Sequence, residues 1–370
     1  MKAGGTLALL ALVAASASCG EDEAPFFDAP VSSDVSQPPP MLLSELRLLG
    51  WDGERLRYNE RVVPYGLNTP LFSDYSLKAR AVYVPEGQTV AYQEGRPLDF
   101  PVGTVIVKTF YFPADFRDAS AAVSLVETRV LRRSEAGWEA WPYVWNAEQT
   151  DAELSVAGDT RQITFIDEAG DEQVSQYLVP QRNQCSSCHL RGDARSPAMT
   201  PIGPAARHLN RDFDYEGGME NQLSRLQREG ILTGLPELSA VPQAFGQRAV
   251  VSDEDVDRAA RDYLDINCAH CHDPLGTQGV SSQLFLNYDS EDEFRLGVCK
   301  RPGSAGEGNG GLTYDIVPGS PDESILLFRV ETTEVGAMMP LLGRSLQDEY
   351  GAPLLRRWIA QMEPVDCGAE

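Results

Sequence analysis

Between Thr104 and Phe112 the side chains alternate. Thr104, Ile106, Lys108, Phe110 and Phe112 fall on one face of an extended chain, and Val105, Val107, Thr109 and Tyr111 on the other, the period of two that marks a strand. Val123 to Arg132, Trp141 to Trp145 and Gln162 to Ile166 read as further strands, bounded by turns at Glu135-Ala-Gly137 and Ala157-Gly-Asp159. Beyond Val250 the period changes. Ser252 caps a helix with Asp255 at its third position, and Val256, Ala259, Ala260, Tyr263 and Leu264 then recur at helical spacing. A second amphipathic segment, Ala352 to Met362, sets Leu354, Leu355, Trp358, Ile359 and Met362 on one face, and the Gly- and Pro-rich stretch Arg301 to Pro321 reads as loop. The pattern predicts an α+β protein of two domains: a mainly β domain over 43–215, a connecting helical segment over 216–249, and an all-α domain over 250–370.

Ahead of these elements, Lys2 precedes the apolar run Leu7 to Ala15 and small residues lead to Cys19. This predicts a signal peptide over 1–18, too short to span a membrane. Ser16-Ala17-Ser18-Cys19-Gly20 is similar to a bacterial lipoprotein cleavage box, which makes Cys19 the expected lipidation site and a membrane the expected anchor. Ordinary signal cleavage is the other reading. Gly20 to Pro40 is polar and Pro-rich, so 19–42 is expected to be anchor and disordered or extended linker. A hydrophobic content of 42% supports packed cores in the remainder. The net charge of −24 argues against nucleic acid as a partner and suits a basic redox protein, although solubility alone also explains it.

Two Cys-x-x-Cys-His motifs carry the chemistry: Cys185-Ser-Ser-Cys188-His189 and Cys268-Ala-His-Cys271-His272. In c-type haem attachment two thiols add across the vinyl groups and the adjacent His supplies the proximal iron ligand. Two copies predict two haem c groups, with Cys185, Cys188, Cys268 and Cys271 as thioethers and His189 and His272 on iron. A zinc ribbon has no need of a His directly after each pair, and a thioredoxin-like site has no duplicated trailing His. His270, inside the second motif, reads as a spacer. Cys299 and Cys367 remain once Cys19 and the motif thiols are assigned, and in an oxidising compartment they are expected to form a disulfide, the alternative being two unpaired thiols. His208 is the only His outside the motifs and Lys108 a rare Lys facing Ile106 and Phe110; both are weak candidates for the distal side of the first haem. Trp138, Trp141, Tyr143 and Trp145 read as β-domain core or pocket wall.

A helix running into Cys268-Ala-His-Cys-His272, a loop-rich middle, Met338-Met339-Pro340 and a final helix with Trp358 resembles the order of a class I cytochrome c. The resemblance implies that Met339 is the distal iron ligand of the second haem, with Met338 as alternate. A thioether favours ferrous iron, and Pro340 stiffens the loop presenting it; the competing reading is core filling. The β-rich part with its motif at the end, and Phe100-Pro-Val-Gly-Thr-Val-Ile-Val-Lys108 within it, is similar to the cytochrome P460 and β-type cytochrome c′ family. Taken whole, Asn68 to Tyr75, Phe100 to Phe112, Gln184 to His189, Pro201 to Asn210, Leu264 to His272 and the Met-Met-Pro segment resemble a family of exported bacterial di-haem c-type cytochromes.

These resemblances imply haem binding, electron transfer and a place in the periplasm or cell envelope, and bring no substrate. The expectation is an anchored electron carrier. The alternatives are a haem enzyme with an open first haem, peroxidase-like or P460-like, and a β binding module fused to an electron port.

Overall fold

The computed structural model describes residues 26–368 apart from 33, 247–249, 278–279 and 281. Cys19 and the expected signal segment lie outside the described residues.

The alternating segments form one antiparallel meander of six strands: β1 (Val62–Tyr65), β2 (Leu77–Tyr83), β3 (Val105–Pro113), β4 (Val123–Ser134), β5 (Gly137–Trp145) and β6 (Ala152–Leu154). β3 is central, paired with β2 on one side and β4 on the other. Both sheet faces are covered, so the strand interiors are rich in Val, Ile and aromatics. One core holds Val105, Val107, Val130, Tyr143 and Trp145; another, on the opposite face, holds Val82, Ile106 and Trp138. A bulge between Phe110 and Tyr111 shifts the β3–β4 register, and Phe110 and Phe112 enter a third core with Phe165 and Tyr177. The last two come from a separate hairpin, β7 (Asp159–Ile166) and β8 (Glu172–Val179), which hands the chain to the first Cys-x-x-Cys-His segment.

The expected connector over 216–249 is not an independent helical segment. It contains one short helix, Gln222–Arg228, and its Leu223, Leu226, Ile231, Leu232 and Val241 belong to the same core as the sheet. Leu232–Thr233 pairs in parallel with Val90–Ala91, closing this segment onto the β part. The linker tract is likewise held. Arg132 donates to the carbonyls of Asp34 (3.2 Å) and Gln37 (2.9 Å), and Tyr143 donates to that of Pro40 (3.0 Å).

The expectation of an all-α domain over 250–370 is overturned. Helix covers 20% and strand 27% of the protein, which is mostly β sheet with few helices. After Val250 the helices are Val256–Asn267, Glu293–Leu296, Ile325–Glu331 and Gly351–Gln361, and the rest is turn, 3-10 helix and isolated bridges such as Val298 with Ile316. The physical reason lies in composition: the Gly- and Pro-rich stretches between the two amphipathic helices lack the backbone hydrogen bonding and propensity that continuous helix needs. The two helices read from periodicity do form and pack together, sharing Val256, Ala260, Leu264, Leu355 and Ile359 in one core. The first begins at Val256, although Ser252 and Asp255 still bond reciprocally, Asp255 N to Ser252 Oγ at 3.2 Å and Ser252 Oγ to Asp255 Oδ2 at 2.7 Å. No helix among the described residues is long and apolar enough to cross a membrane.

Candidate functional site

The first motif is delivered by a turn and a single helical turn. A 3-10 segment, Arg182–Cys185, follows the β7–β8 hairpin, and Ser186–His189 forms one turn of α-helix. Arg182 lies over the Trp141 ring at 3.9 Å, so the motif is seated on the sheet. His189 and Thr200 hold each other: Thr200 N donates to the His189 carbonyl (2.8 Å), and His189 Nδ1 meets the Thr200 carbonyl at 2.9 Å. A carbonyl only accepts, so Nδ1 carries the proton and Nε2 keeps its lone pair.

The second motif follows directly on the Val256–Asn267 helix, as a turn. His272 N bonds the Cys268 carbonyl (2.9 Å), and His272 Nδ1 lies 3.2 Å from Ser282 Oγ, a hydroxyl that donates or accepts, so this contact orients the ring through Nδ1 without fixing its tautomer. Asn267, directly before Cys268, accepts from Phe72 N (2.7 Å) and donates to the Tyr263 carbonyl (3.0 Å). This helix is therefore fixed to a loop from the β part just where the motif begins.

The fold brings the two motifs together. Cys271 Sγ lies 3.8 Å from the Ser187 carbonyl, and the ligating atoms of Cys188, His270 and Cys271 all fall within 4.8 Å of one another. All four thiols are free and partly buried. They open into one cavity of about 1510 Å³, whose wall also includes His189, His272, Lys108, His208 and Met339. A pocket for one drug-sized molecule measures roughly 300–1,000 Å³, so this space suits a larger load.

The local electrostatics favour neutral, ligating imidazoles. Burial pushes His189 and His272 down to about 4, so both are unprotonated at neutral pH, the state that binds metal. Burial raises the Cys185 thiol and pushes Cys268 up to about 12. The hydrogen bond between Cys188 and Cys271 couples the two thiols, so they titrate as a pair.

Of the remaining predicted residues, Met339 lines the cavity while Met338 is buried and does not. The Met339 loop is gripped by Arg344, buried itself, which donates to the carbonyls of Met339 (2.9 Å), Arg329 (2.9 Å), Thr332 (2.8 Å) and Leu346 (3.1 Å). Lys108 lies on the central strand and not at an edge, partly buried against the cavity, where burial first and the charges of Arg129 and Arg80 second push it down to about 7. His208 is buried, with Nε2 3.3 Å from Asp265 and 3.2 Å from Arg207, and its Nδ1 has no hydrogen-bond partner. Trp138 and Trp141 line the cavity, and Tyr143 and Trp145 fill core. Cys299 and Cys367 are joined by a disulfide of 2.04 Å.

Sequence reading missed the residues that clamp the two halves around the cavity. Arg207 pairs with Asp262 and, at 2.9 Å, with Asp265, both on the helix carrying the second motif. Asp74 accepts from Ser345 N (2.6 Å), Ser345 Oγ (2.7 Å) and Leu346 N (2.9 Å) on one side and from Ser175 Oγ (3.0 Å) on the other. Asp74 adopts a left-handed backbone (φ 46°) that Asp tolerates better than most residues. No family model matches the chain, and comparison with curated proteins and with solved structures gives no match either.

What this donor set offers a covalently attached iron porphyrin is consistent between the halves: two thiols and a neutral, oriented imidazole at each motif. The second motif adds a thioether on the wall.

Proposed function

We propose that the protein is an exported di-haem c-type cytochrome that transfers electrons, tethered at the cell envelope through a lipid on Cys19. The observation carrying this reading is the meeting of two Cys-x-x-Cys-His segments across one large cavity, each with its trailing His anchored through Nδ1. Haem c at these positions supplies one-electron chemistry at iron. The chain's own residues do the rest. Cys185 and Cys188 would fasten one group and Cys268 and Cys271 the other; His189 and His272 would offer a ring nitrogen to iron, and Met339 its thioether at the second. Arg207 and Asp74 hold the two walls at fixed separation, so little of the protein has to move when charge changes. With a net charge of −24, the partner that suits the surface is a basic redox protein.

The test is the intact mass and reduced pyridine spectrum of the mature protein from a host with haem-attachment machinery. Two haem masses per chain, falling to one in Cys185→Ser/Cys188→Ser and in Cys268→Ser/Cys271→Ser, are expected. A chain without added haem would falsify the reading.

A second reading has its own observation. Cys188, His270 and Cys271 form a soft Cys2His set able to hold zinc or cuprous ion. It predicts one equivalent of metal on the chain, lost in Cys271→Ser but kept when Cys185 and Cys268 are changed.

A further inference from the structure

Strand register sets Arg80 of β2, Lys108 of β3 and Arg129 of β4 directly opposite one another, and all three line the cavity. One step along, Phe110 stands between Lys78 and Glu127. The Phe110 ring centroid has Lys78 Nζ at 5.9 Å, Lys108 Nζ at 4.9 Å and Arg129 Cζ at 4.4 Å. Three basic side chains, Lys78, Lys108 and Arg129, therefore crowd one buried ring, and Arg80 stands beside them in register with Lys108. Like charges directly opposite destabilise a sheet, and the repulsion is stronger in a wall of low dielectric than in water.

The protein supplies little to offset it. Among the described residues Glu127, fully buried, is the one carboxylate bonded to the group, and it is committed: it accepts from Arg129 Nε (2.9 Å) and Nη2 (2.6 Å) and from the Tyr177 hydroxyl (2.7 Å). Lys78 donates to the Ser76 carbonyl and Arg80 to the Lys78 carbonyl. Lys108 has no hydrogen-bond or ion-pair partner among the described residues; Arg129 and Arg80 repel it, Glu127 attracts it, and its contact is the face of Phe110.

We propose that the Arg80–Lys108–Arg129 row is a binding site for a small oxyanion, of the size of nitrate, nitrite or formate. Arg80 and Arg129, the latter held by Glu127 through its Nε and Nη2, flank Lys108, and together they present N–H donors and positive charge, the pairing that delocalised oxyanions accept, and Phe110 floors the site. Carboxylates on an attached porphyrin are the less suitable occupant. Lys108 and Arg129 share their field with the thiols of Cys188 and Cys185, and a haem fastened by its vinyl groups carries its carboxylates on the other edge. Arg191 and Arg329 line the cavity elsewhere and are available for those. The site rests on the cations; its meaning, an oxyanion held beside the first haem, rests on the function proposed above.

Calorimetric titration of nitrate, a weak iron ligand, into the full mature protein in chloride-free buffer tests this. One equivalent is expected to bind in the millimolar range or tighter, and Lys108→Met and Arg80→Met each to weaken it by about tenfold or more, the loss of one charge-assisted hydrogen bond. Lys108→Arg keeps the charge and keeps binding, and Arg228→Met, an exposed site paired with Glu220, leaves it unchanged. No uptake by the wild type, or undiminished uptake by a Lys108→Met protein with native circular dichroism, overturns the proposal. So does absence of uptake combined with porphyrin-carboxylate Raman bands that shift in Lys108→Met, which assigns the row to the attached group. A protein that binds nitrate but carries no haem mass sinks the function and not the site; one with both haems and no nitrate sinks the site alone.

Discussion

Two neighbouring methionines show how much one position along the chain decides. Met339 faces the cavity and Met338 packs inside, so the same truncation separates the proposed ligand from a core residue. Met339→Ala is expected to lower the midpoint potential of one haem by on the order of 0.1 V, a fraction of the roughly 0.8 V range that axial ligands span, with little effect on unfolding. Met338→Ala should leave both potentials in place and cost about 2–3 kcal/mol of stability, the usual cost of a buried Met truncation. Redox titration and urea unfolding of the two variants check the split; equal effects would place the wrong sulfur on the wall. The motif imidazoles carry a pH signature. Burial holds His189 and His272 near 4, below the roughly 6.5 of a free imidazole. Between those values the unfolded chain binds protons that the folded chain refuses, so stability is complete above about 6.5 and falls as pH drops towards 4. In the haem-free full chain the urea midpoint is expected to fall from pH 7.5 to pH 5, and His189→Phe/His272→Phe to flatten that fall. A wild-type midpoint that is level across this range contradicts the burial described.

At the scale of elements, the stability of the cavity depends on a buried ion pair between two helices. Arg207 sits on the Ala206–Leu209 turn, and Asp262 and Asp265 on the motif-bearing helix. Arg207→Met removes the guanidinium from two carboxylates and should destabilise by about 3–5 kcal/mol, with Asp262→Leu added to it recovering part of the loss; denaturant unfolding of the single and double variants reads this directly. Burial raises the Asp265 carboxyl, but the hydrogen bond from His208 and the charge of Arg207 outweigh it and leave the group below its usual value. That contribution is present above about pH 4 and is lost as pH falls through the lowered value. These couplings explain what was legible beforehand. Strands β3, β4 and β5 were readable because alternation is local, and the helices at Val256 and Gly351 because one face of each is apolar over several turns. The two Cys-x-x-Cys-His segments were readable as motifs because their residues are adjacent in sequence. The rest is non-local. The Arg80–Lys108–Arg129 row exists only through strand register, and Arg207 and Asp74 reach partners far along the chain. The all-α expectation failed because the two good helices cover little of the segment they bound, the rest being short helices, turns and isolated bridges.

For the molecule as a whole, the outer field and the inner field have opposite signs. The protein carries −24 overall, while the wall beside the first motif gathers Lys78, Arg80, Lys108 and Arg129 against Glu127. A cationic reagent or basic partner is drawn to the surface, and an anion must cross a repulsive zone before it meets the cations inside. Salt screens exposed charges beyond about 8 Å at physiological ionic strength and buried ones much less. The two classes of reactant must therefore respond to salt with opposite signs. Electron exchange with a cationic ruthenium hexaammine should slow as ionic strength rises. Exchange with an anionic hexacyanoferrate should quicken, since screening removes repulsion and too little of the inner attraction to compensate. Stopped-flow rates over a salt series measure both. If both reagents slow together, the positive wall governs approach from outside; if both quicken, the negative surface is not where electrons enter. Opposite slopes place electron entry on the acidic exterior and leave the interior cations to a ligand that arrives by a different path.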